Sequence, residues 1–279
     1  MHMHELPYPP VAGARATAVR GLRSGEFFEA TDWVAEEVPV ALVYNGVSHA
    51  VMLASPSDLG DFAIGFSCSE GIVDSPAQIY DIEVQAGERG ISVVLDIASA
   101  CFMRLKDRRR NLAGRTGCGL CGTDSLEQAV RQPGALGAGA PFDAPAVSAA
   151  LGRLRERQLL LGVTGASHAA AWCTAAGEIE LLREDVGRHN ALDKLLGALH
   201  RAGLPAGQGF IVVTSRASYE MVQKTASAGV GLLAAVSGVT GLAIDTAQDC
   251  GLTLLGFARG ADLSVYSHPQ RISLESKTS

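Results

Sequence analysis

The strongest constraint on the fold is an alternation of apolar runs and helix-like segments in the last third of the chain. Three runs have the composition and length of buried strands: FIVVTS (210–215), LLAAVS (232–237) and LTLLGFA (252–258). Between them, SYEMVQKTASAG (218–229) and TGLAIDTAQDCG (240–251) have the pattern of helices that end at a glycine. Strands joined through helices pair in parallel by right-handed crossovers. The pattern therefore predicts an α/β fold.

Two hairpins are predicted in the first hundred residues. The segment 38–54 alternates apolar and polar residues around Asn45-Gly46, which is the strongest short hairpin signal. A second alternating segment, 80–98, turns near Glu88–Gly90. Between the two hairpins, Ser57 is the expected cap of a helix with an apolar face. These elements predict a smaller, mixed α+β part that precedes the α/β part.

The chain divides at changes in composition. Residues 1–18 lack periodicity and are expected to form a loose N-terminal arm, followed by the α+β part over 19–135. The α/β part spans 136–279, and it begins within a connector rich in Gly, Ala and Pro between Pro133 and Pro145. A helix is expected from about residue 146 to 161.

Charge and hydropathy exclude several functions. The net charge of −6 and the pI near 5.6 argue against a nucleic-acid-binding protein, which usually has a basic face. No window has the roughly 18 uncharged apolar residues of a membrane span, and the first residues lack the apolar stretch of a secretory signal. The protein is therefore expected in the cytoplasm, without a membrane partner. Its 6 cysteines are few for its length, so structural disulfides are not expected in a reducing compartment.

Two of these cysteines give the sharpest chemical signal. Cys118 and Cys121 lie in GRTGCGLCG (114–122), within a stretch, 104–122, that has no periodicity and is expected to be a mobile loop. Its basic residues are Arg104, Lys106, Arg108, Arg109, Arg110 and Arg115, against one acidic residue, Asp107. Nearby cations lower the pKa of a thiol, and the thiolate is the reactive form.

Four uses of this thiol pair compete. A structural zinc site needs four ligands, and a single CxxC supplies two. A thioredoxin-like disulfide switch normally has its CxxC at the start of a helix, not among glycines and arginines. Two incidental thiols on a flexible loop have no structural reason to be paired in a reducing cell. A persulfide that carries sulfur is the best remaining use, although a lone CxxC does not establish it.

Three loops at the predicted strand ends favour an anionic ligand. Open parallel sheets bind ligands beyond the carboxyl ends of their strands, where helices begin. The loops are TSRAS (214–218), SGVTG (237–241) and FARGAD (257–262), and their candidate ligand groups are Thr214, Ser215, Arg216, Ser218, Ser237, Thr240 and Arg259. Each hydroxyl alone is more often an ordinary helix cap. Taken together, the loops favour a nucleotide-like anion.

A dense polar segment, REDVGRHNALDKLLG (183–197), begins another helix. Arg188, His189 and Asn190 could present donors to a phosphate at the start of this helix. The alternative is a capping and salt-bridge cluster, which is common at helix starts. His189 and His168 taken singly are more often hydrogen-bonded structural histidines than metal ligands, and no metal site is predicted.

Several of these stretches resemble the FdhD family of accessory sulfurtransferases for formate dehydrogenase maturation. The matching pieces are FSCSEGIV (66–73), GRTGCGLCG (114–122), TGASHAAA (164–171), REDVGRHNALDKLLG (183–197), SRASYEMVQKTASAG (215–229) and GLTLLGFARG (251–260). The resemblance implies a cytidine-deaminase-like, three-layer α/β fold and a homodimer. It also implies the transfer of persulfide sulfur from a cysteine desulfurase to the molybdenum bis(molybdopterin guanine dinucleotide) cofactor, which serves a formate dehydrogenase apoenzyme.

The same resemblance implies roles for individual residues. Cys118 resembles the residue that carries the persulfide, and Cys121 its partner in transfer. The segment that resembles the family's cofactor contact comprises Phe257, Ala258, Arg259, Gly260, Ala261 and Asp262. The family commonly has Ser-Gly-Arg where this chain has Ser215-Arg216, and Ala-Pro-Thr at Gly238–Thr240, so the fit of the ligand is expected to differ there.

Two other functions stay open. One is a chaperone that holds the cofactor or the apoenzyme without moving sulfur, and the other is a metal-dependent enzyme that modifies nucleotides. Deaminase chemistry is not implied by a deaminase-like fold, because it needs an H-x-E with a P-C-x-x-C, and Gly117 rather than proline precedes Cys118.

Overall fold

The computed structural model describes residues 11–113, 131–137, 139 and 141–274, with the side chains of 108–113 excepted. The predicted thiol loop at 114–122 lies outside these residues. Two sheets organise the described chain, a six-stranded sheet in the α/β part and a four-stranded sheet in the N-terminal part.

The six-stranded sheet confirms the predicted parallel core. Its order is β13-β12-β11-β10-β8-β9, and β10, β11 and β12 are parallel neighbours. Strand β8 is antiparallel to both β10 and β9, so β9 has the same direction as β10. The strands are β8 (His168–Thr174), β9 (Ile179–Asp185), β10 (Gly209–Val213), β11 (Leu232–Ala235), β12 (Thr253–Arg259) and β13 (Asp262–Val265).

Helices cover both faces of this sheet and make three layers, as expected for the α/β fold class. One face packs against α5 (Arg188–Ala202), α6 (Tyr219–Ser227) and α7 (Gly241–Cys250). The other face packs against α3 (Ala144–Leu154) and the small parallel pair β7 (Phe142–Asp143) and β14 (Ile272–Ser273). None of the helices in the described part of the chain is long and apolar enough to cross a membrane.

The single helix expected over 146–161 is wrong. Helix α3 ends at Leu154, and a 3₁₀ turn leads to a second helix, α4 (Leu159–Thr164). The separation has a tertiary cause, because the backbone N–H groups of Leu160 and Leu161 donate to the carboxylate of Glu184 on β9, at 2.9 and 3.0 Å. The Glu184 carboxylate thus accepts from the free N–H groups at the start of α4. Neither helix propensity nor periodicity reveals this contact.

The four-stranded sheet contains both predicted hairpins, in the order β4-β3-β6-β5. Its strands are β3 (Val38–Tyr44), β4 (Val47–Ala54), β5 (Ile79–Gly87) and β6 (Gly90–Ile97). Asn45 and Gly46 both adopt the left-handed conformation, with φ of 45° and 79°, as a two-residue hairpin turn requires. One face of the sheet packs on α1 (Leu59–Ser69) and on α2 (Ser99–Ala113).

Three expectations for the N-terminal part need correction. Asp58, not Ser57, occupies the capping position of α1. Residues 104–113 belong to α2, so the loop predicted over 104–122 is wrong for these residues. Strand β1 (Ala14–Arg23) begins inside the predicted loose arm and pairs with β2 (Glu26–Ala35) in a separate two-stranded ribbon. The proposed division at residue 135 stays a prediction.

Helices α1 and α5 join the two parts at an unusually close crossing. A Cβ atom at Gly65 would lie 1.8 Å from the backbone oxygen of Asp193, and one at Gly197 would lie 1.8 Å from that of Asp61. Only glycine therefore fits at these two positions. The crossing brings the polar residues of α5 against the end of the four-stranded sheet.

Candidate functional site

The carboxyl ends of four strands meet at one edge of the six-stranded sheet. Strands β9, β10, β11 and β12 share one direction, and after the first three the chain enters α5, α6 and α7. The three predicted ligand loops are therefore neighbours. Backbone hydrogen bonds link them in turn, from Ala217 N to Gly238 O at 3.1 Å and from Phe257 N to Ser237 O at 3.0 Å. We call this region the strand-end edge.

Most hydroxyl groups at the strand-end edge have partners within the protein. Thr240 caps α7, since its side chain accepts from Ala243 N at 3.4 Å. Thr214 accepts from Ala169 N at 2.9 Å, and Ser215 donates to the carbonyl oxygen of Arg216 at 2.9 Å. For these hydroxyls, local hydrogen bonding explains the residue type without a ligand.

Ser218 and Arg188 differ from these residues. Ser218 stands at the capping position of α6, yet its Oγ is buried and has no hydrogen-bond partner among the described residues. The buried Nε of Arg188, at the first residue of α5, likewise has none in that part of the chain. Buried polar atoms without partners are uncommon in folded proteins. These two atoms lie at helix starts, where backbone N–H groups favour an anion.

Two histidines extend this polar group. The Nε2 of His189 lies 2.8 Å from a carboxylate oxygen of Glu220, in the first turn of α6. That contact lowers the pKa of Glu220. Burial lowers the pKa of His168, and the charge of Arg188 lowers it further, so the His168 imidazole is neutral near pH 7. Among the described residues, no three His, Cys, Asp or Glu side chains are grouped to hold a metal ion.

Asn190 was expected to contact the ligand, but its side-chain amide is bonded within the fold. Its side chain is buried, and its amide nitrogen donates to Leu53 O at 2.7 Å and to a carboxylate oxygen of Asp185 at 3.1 Å. The same carboxylate pairs with the fully buried Lys194 at 2.7 Å, and Lys194 donates to Ser55 O at 3.0 Å. The Asn190 side chain therefore holds α5 to β4.

The rest of the 183–197 segment is structural too. Arg183 pairs with Asp61 of α1 at 2.6 Å. Asp193 accepts from Ser69 Oγ at 2.8 Å and pairs with Lys224 at 3.0 Å, and Lys224 also reaches Glu70 at 2.7 Å. Burial opposes the charge of Lys224, but the two carboxylates outweigh it and raise its pKa. The alternative of a salt-bridge cluster thus holds for these residues, and His189 pairs with Glu220 of α6 as well.

Phe257 and Arg259 face solvent at the turn between β12 and β13. Phe257 is 52% exposed and has a positive φ of 50°, which is rare for a residue with a side chain. Its ring covers Gly238, where a Cβ atom would lie 3.2 Å away. The Nε of the exposed Arg259, two residues further along the chain, donates to Val236 O at 2.9 Å.

The other predicted contacts are placed as follows. Gly260, Ala261 and Asp262 are exposed at the same turn, and Arg216 is exposed in the neighbouring loop. Ala258 is buried, and its methyl group belongs to the sheet core, so it can offer a ligand only its backbone. Glu220 was missed, because no sequence pattern pairs it with His189, which precedes it by 31 residues.

Cys118 and Cys121 lie outside the described residues, but the chain after them returns to the strand-end edge. The hydroxyl of Tyr219, the first residue of α6, donates to the carbonyl oxygen of Arg131 at 2.8 Å. Arg131 follows Cys121 by ten residues. This contact anchors the end of the thiol-bearing segment beside the start of α6.

The remaining cysteines are free thiols in unreactive settings. Burial raises the pKa of both Cys68 and Cys173 to about 12, and it also raises that of Cys250. Cys101 is buried as well. Since the thiolate is the reactive form, these surroundings suppress reactivity at Cys68, Cys173 and Cys250 near pH 7.

This combination of fold and site defines an α/β protein whose strand-end edge brings together two helix starts and several polar and cationic side chains. Residues 35–273 match the FdhD/NarQ family, and the chain belongs to that family. It is 55% identical over 273 residues to the sulfur carrier protein FdhD of Variovorax paradoxus. That alignment covers 98% of each chain. It is 59% identical over 258 residues to the sulfur carrier protein FdhD of Cupriavidus necator. This second alignment covers 92% of this chain and 90% of the relative.

A solved structure shares the fold. The crystal structure of a protein described as a formate dehydrogenase accessory protein, from Desulfotalea psychrophila, superposes with a TM-score of 0.73. The superposition covers 93% of this chain and 99% of that chain, at 21% identity.

Proposed function

We propose that this protein is a sulfur carrier that delivers persulfide sulfur from Cys118 to the molybdenum bis(molybdopterin guanine dinucleotide) cofactor of a formate dehydrogenase. The observation that carries the proposal is the near-full-length similarity to relatives named as sulfur carriers. A glycine-rich, cationic CxxC supplies the chemical means.

The two thiols divide the chemistry of transfer. In loading, the Cys118 thiolate attacks the terminal sulfur of a persulfide on a cysteine desulfurase, and the desulfurase thiolate leaves. In release, the Cys121 thiolate attacks the sulfur atom of Cys118, the S–S bond to the terminal sulfur breaks, and hydrosulfide leaves. The two electrons that reduce the sulfur come from the thiols, which end as a Cys118–Cys121 disulfide. A cellular dithiol reductant then restores them.

The strand-end edge is the proposed binding site for the client cofactor. Its diphosphate groups need donors, and the starts of α5 and α6 offer backbone N–H groups beside Arg188 and Ser218. The exposed guanidinium groups of Arg216 and Arg259 add charge-assisted contacts. The exposed ring of Phe257 offers an apolar surface for a guanine base. The contact of Arg131 with Tyr219 ties the chain to this site ten residues after Cys121.

The proposed partners follow from this role. A cysteine desulfurase supplies the sulfur, a formate dehydrogenase apoenzyme receives the sulfurated cofactor, and the carrier acts as a homodimer. We place these steps in the cytoplasm, because free thiols and persulfides persist in a reducing compartment.

The decisive experiment is mass spectrometry of the protein after incubation with a desulfurase and cysteine. We expect the mass of one added sulfur atom on the 114–122 peptide, and none on that peptide in Cys118→Ala. The matched control is Cys68→Ala, which removes a thiol of suppressed reactivity and should load normally. Loading that survives in Cys118→Ala would contradict the assignment. If maturation proceeds in a variant that lacks both Cys118 and Cys121, the protein is a chaperone instead.

A further inference from the structure

Strand β5 forms an open edge of the four-stranded sheet. It is the last strand in the order β4-β3-β6-β5 and pairs only with β6. Within the described part of the chain, no backbone hydrogen bond joins residues 80–87 to any element other than β6. An edge of this kind offers backbone N–H and C=O groups to an extended segment of another chain.

Two backbone amides can be assigned to the open side of β5. The N–H of Ile82 donates to the carboxylate of its neighbour Asp81 at 2.9 Å, which is a contact within the strand itself. Alternate residues of an antiparallel strand turn their backbone groups to the same side. The N–H of Val84 therefore points to the same open side, and an added strand would accept from both amides.

The other edges of the two large sheets are short or are contacted from outside the sheet. On β4, the carbonyl oxygen of Leu53 accepts from the Asn190 side chain at 2.7 Å. On β9, that of Ile179 accepts from the Arg157 side chain at 2.6 Å. Strand β13 has only four residues. Strand β5 has nine residues, and it contains neither the proline nor the lysine that often protects an edge strand.

The two faces of β5 differ in character. On the face turned away from α1 and α2, Asp81 and Glu83 are exposed, and Asp96 of β6 is exposed directly opposite Asp81. None of these three carboxylates forms an ion pair with another described residue. On the helix-bearing face, Val84 lies directly opposite the buried Val93, yet it is 50% exposed. One face thus favours basic side chains and the other apolar side chains.

We propose that β5 binds an extended segment of a partner protein as a fifth strand of this sheet, and that this segment alternates basic with apolar residues. Its basic side chains lie beside Asp81 and Glu83, and its apolar side chains extend the core past Val84. Two β5 strands paired with one another would instead bring the carboxylates of both copies together, and like charges on adjacent strands are destabilising. The charges therefore select a basic partner over a second copy.

The proposal is tested by amide hydrogen exchange on the full chain with a synthetic peptide. The peptide alternates lysine and valine and has nine residues, the length of β5. A control peptide has the same composition, but its residues come in pairs, so it cannot present one basic and one apolar face as a strand. We expect only the alternating peptide to slow exchange at Ile82 and Val84, and to leave β9 unchanged.

A reversal of charge separates strand addition from general attraction to an acidic protein. We expect Glu83→Lys to weaken binding of the lysine–valine peptide by at least about tenfold. The same variant should gain binding of a peptide that alternates glutamate and valine, which also shows that the variant is folded. The matched control is Glu180→Lys, at an exposed acidic residue of the edge strand β9, and it should bind like the unmodified protein.

Three results would overturn the proposal. The first is protection of the Ile82 and Val84 amides in the free protein, which would mean that the chain itself or a second copy covers the edge. The second is equal binding of the alternating and the paired peptide. The third is binding that Glu83→Lys does not change. Persulfide loading of Cys118 plays no part in this test, so either proposal can fail alone.

Discussion

The α1–α5 junction and the strand-end edge are both rich in polar residues, and helix α5 contributes to both. At the junction, the buried charges of Lys194, Asp193 and Lys224 each have a partner of opposite charge within 3.0 Å. At the edge, the buried Nε of Arg188 and the buried Oγ of Ser218 have no hydrogen-bond partner among the described residues. Burying a charge without a partner is costly, so complete pairing indicates a role in the fold, and incomplete pairing at helix starts indicates a place for a ligand.

The difference between the two regions predicts that substitutions separate into stability effects and binding effects. The junction should respond in unfolding experiments, whereas the edge should respond in ligand titrations. A residue of the edge whose removal unfolds the protein would contradict the distinction.

Breaking the buried charge pair should have the largest effect. Lys224→Met leaves Asp193 charged and buried without its main partner, which should lower the free energy of unfolding by about 3–5 kcal/mol. Urea denaturation measures this. The control is Glu178→Ala, which removes the exposed Arg153–Glu178 pair and should cost at most about 1 kcal/mol. Equal losses in the free energy of unfolding for the two variants would show that Asp193 and Lys224 are not a stabilising buried pair.

Widening the crossing of α1 and α5 should cause the second-largest loss of stability. Gly197→Ala places a methyl group on the backbone of Asp61 and should destabilise the protein by about 3 kcal/mol, at the upper end for overpacking. Gly152→Ala is the matched control, because it lies on α3 with no atom within 4 Å of the added Cβ. Helix propensity then predicts about 0.5–1 kcal/mol of stabilisation there. Thermal unfolding of the pair should shift in opposite directions.

Substitutions at the edge should reduce binding without reducing stability. We expect Arg216→Ala and Arg259→Ala each to weaken binding of GDP, a mimic of half the proposed client, by roughly tenfold or more, or about 1.5–3 kcal/mol. Calorimetry measures the affinity, and Arg155→Ala, an exposed arginine beyond α3, is the control. No GDP binding, or binding indifferent to both substitutions, would place the site elsewhere.

The smallest expected effect concerns pH. The folded state lowers the pKa of His168, so below about pH 6.5 the unfolded chain takes up a proton that the folded chain resists. Stability from this group is thus present above pH 6.5 and is lost as the pH falls below it. His168→Gln should flatten the dependence of the urea midpoint between pH 7.5 and 5.5. An unchanged slope would show that His168 is not held neutral by the edge.

The local sequence pattern was sufficient to predict much of the fold. The strands at 210–213, 232–235 and 253–259, the helices between them and both hairpins were predicted because they depend on periodicity and turn chemistry within a few residues. The meeting of the three ligand loops followed from strand direction alone. The break at Gln158 was missed, because it depends on a carboxylate, Glu184, from a distant strand.

The division of roles within the 183–197 segment was decided by the tertiary structure. In sequence, Arg188, His189 and Asn190 are equivalent candidates at a helix start. Only the tertiary structure shows that the Asn190 side chain is buried against β4, while Arg188 and His189 lie near Glu220 of α6. Sequence pattern records which residues share an element. Which of them are paired, buried or left for a ligand depends on contacts between residues more than a hundred positions apart, such as Ser69 with Asp193.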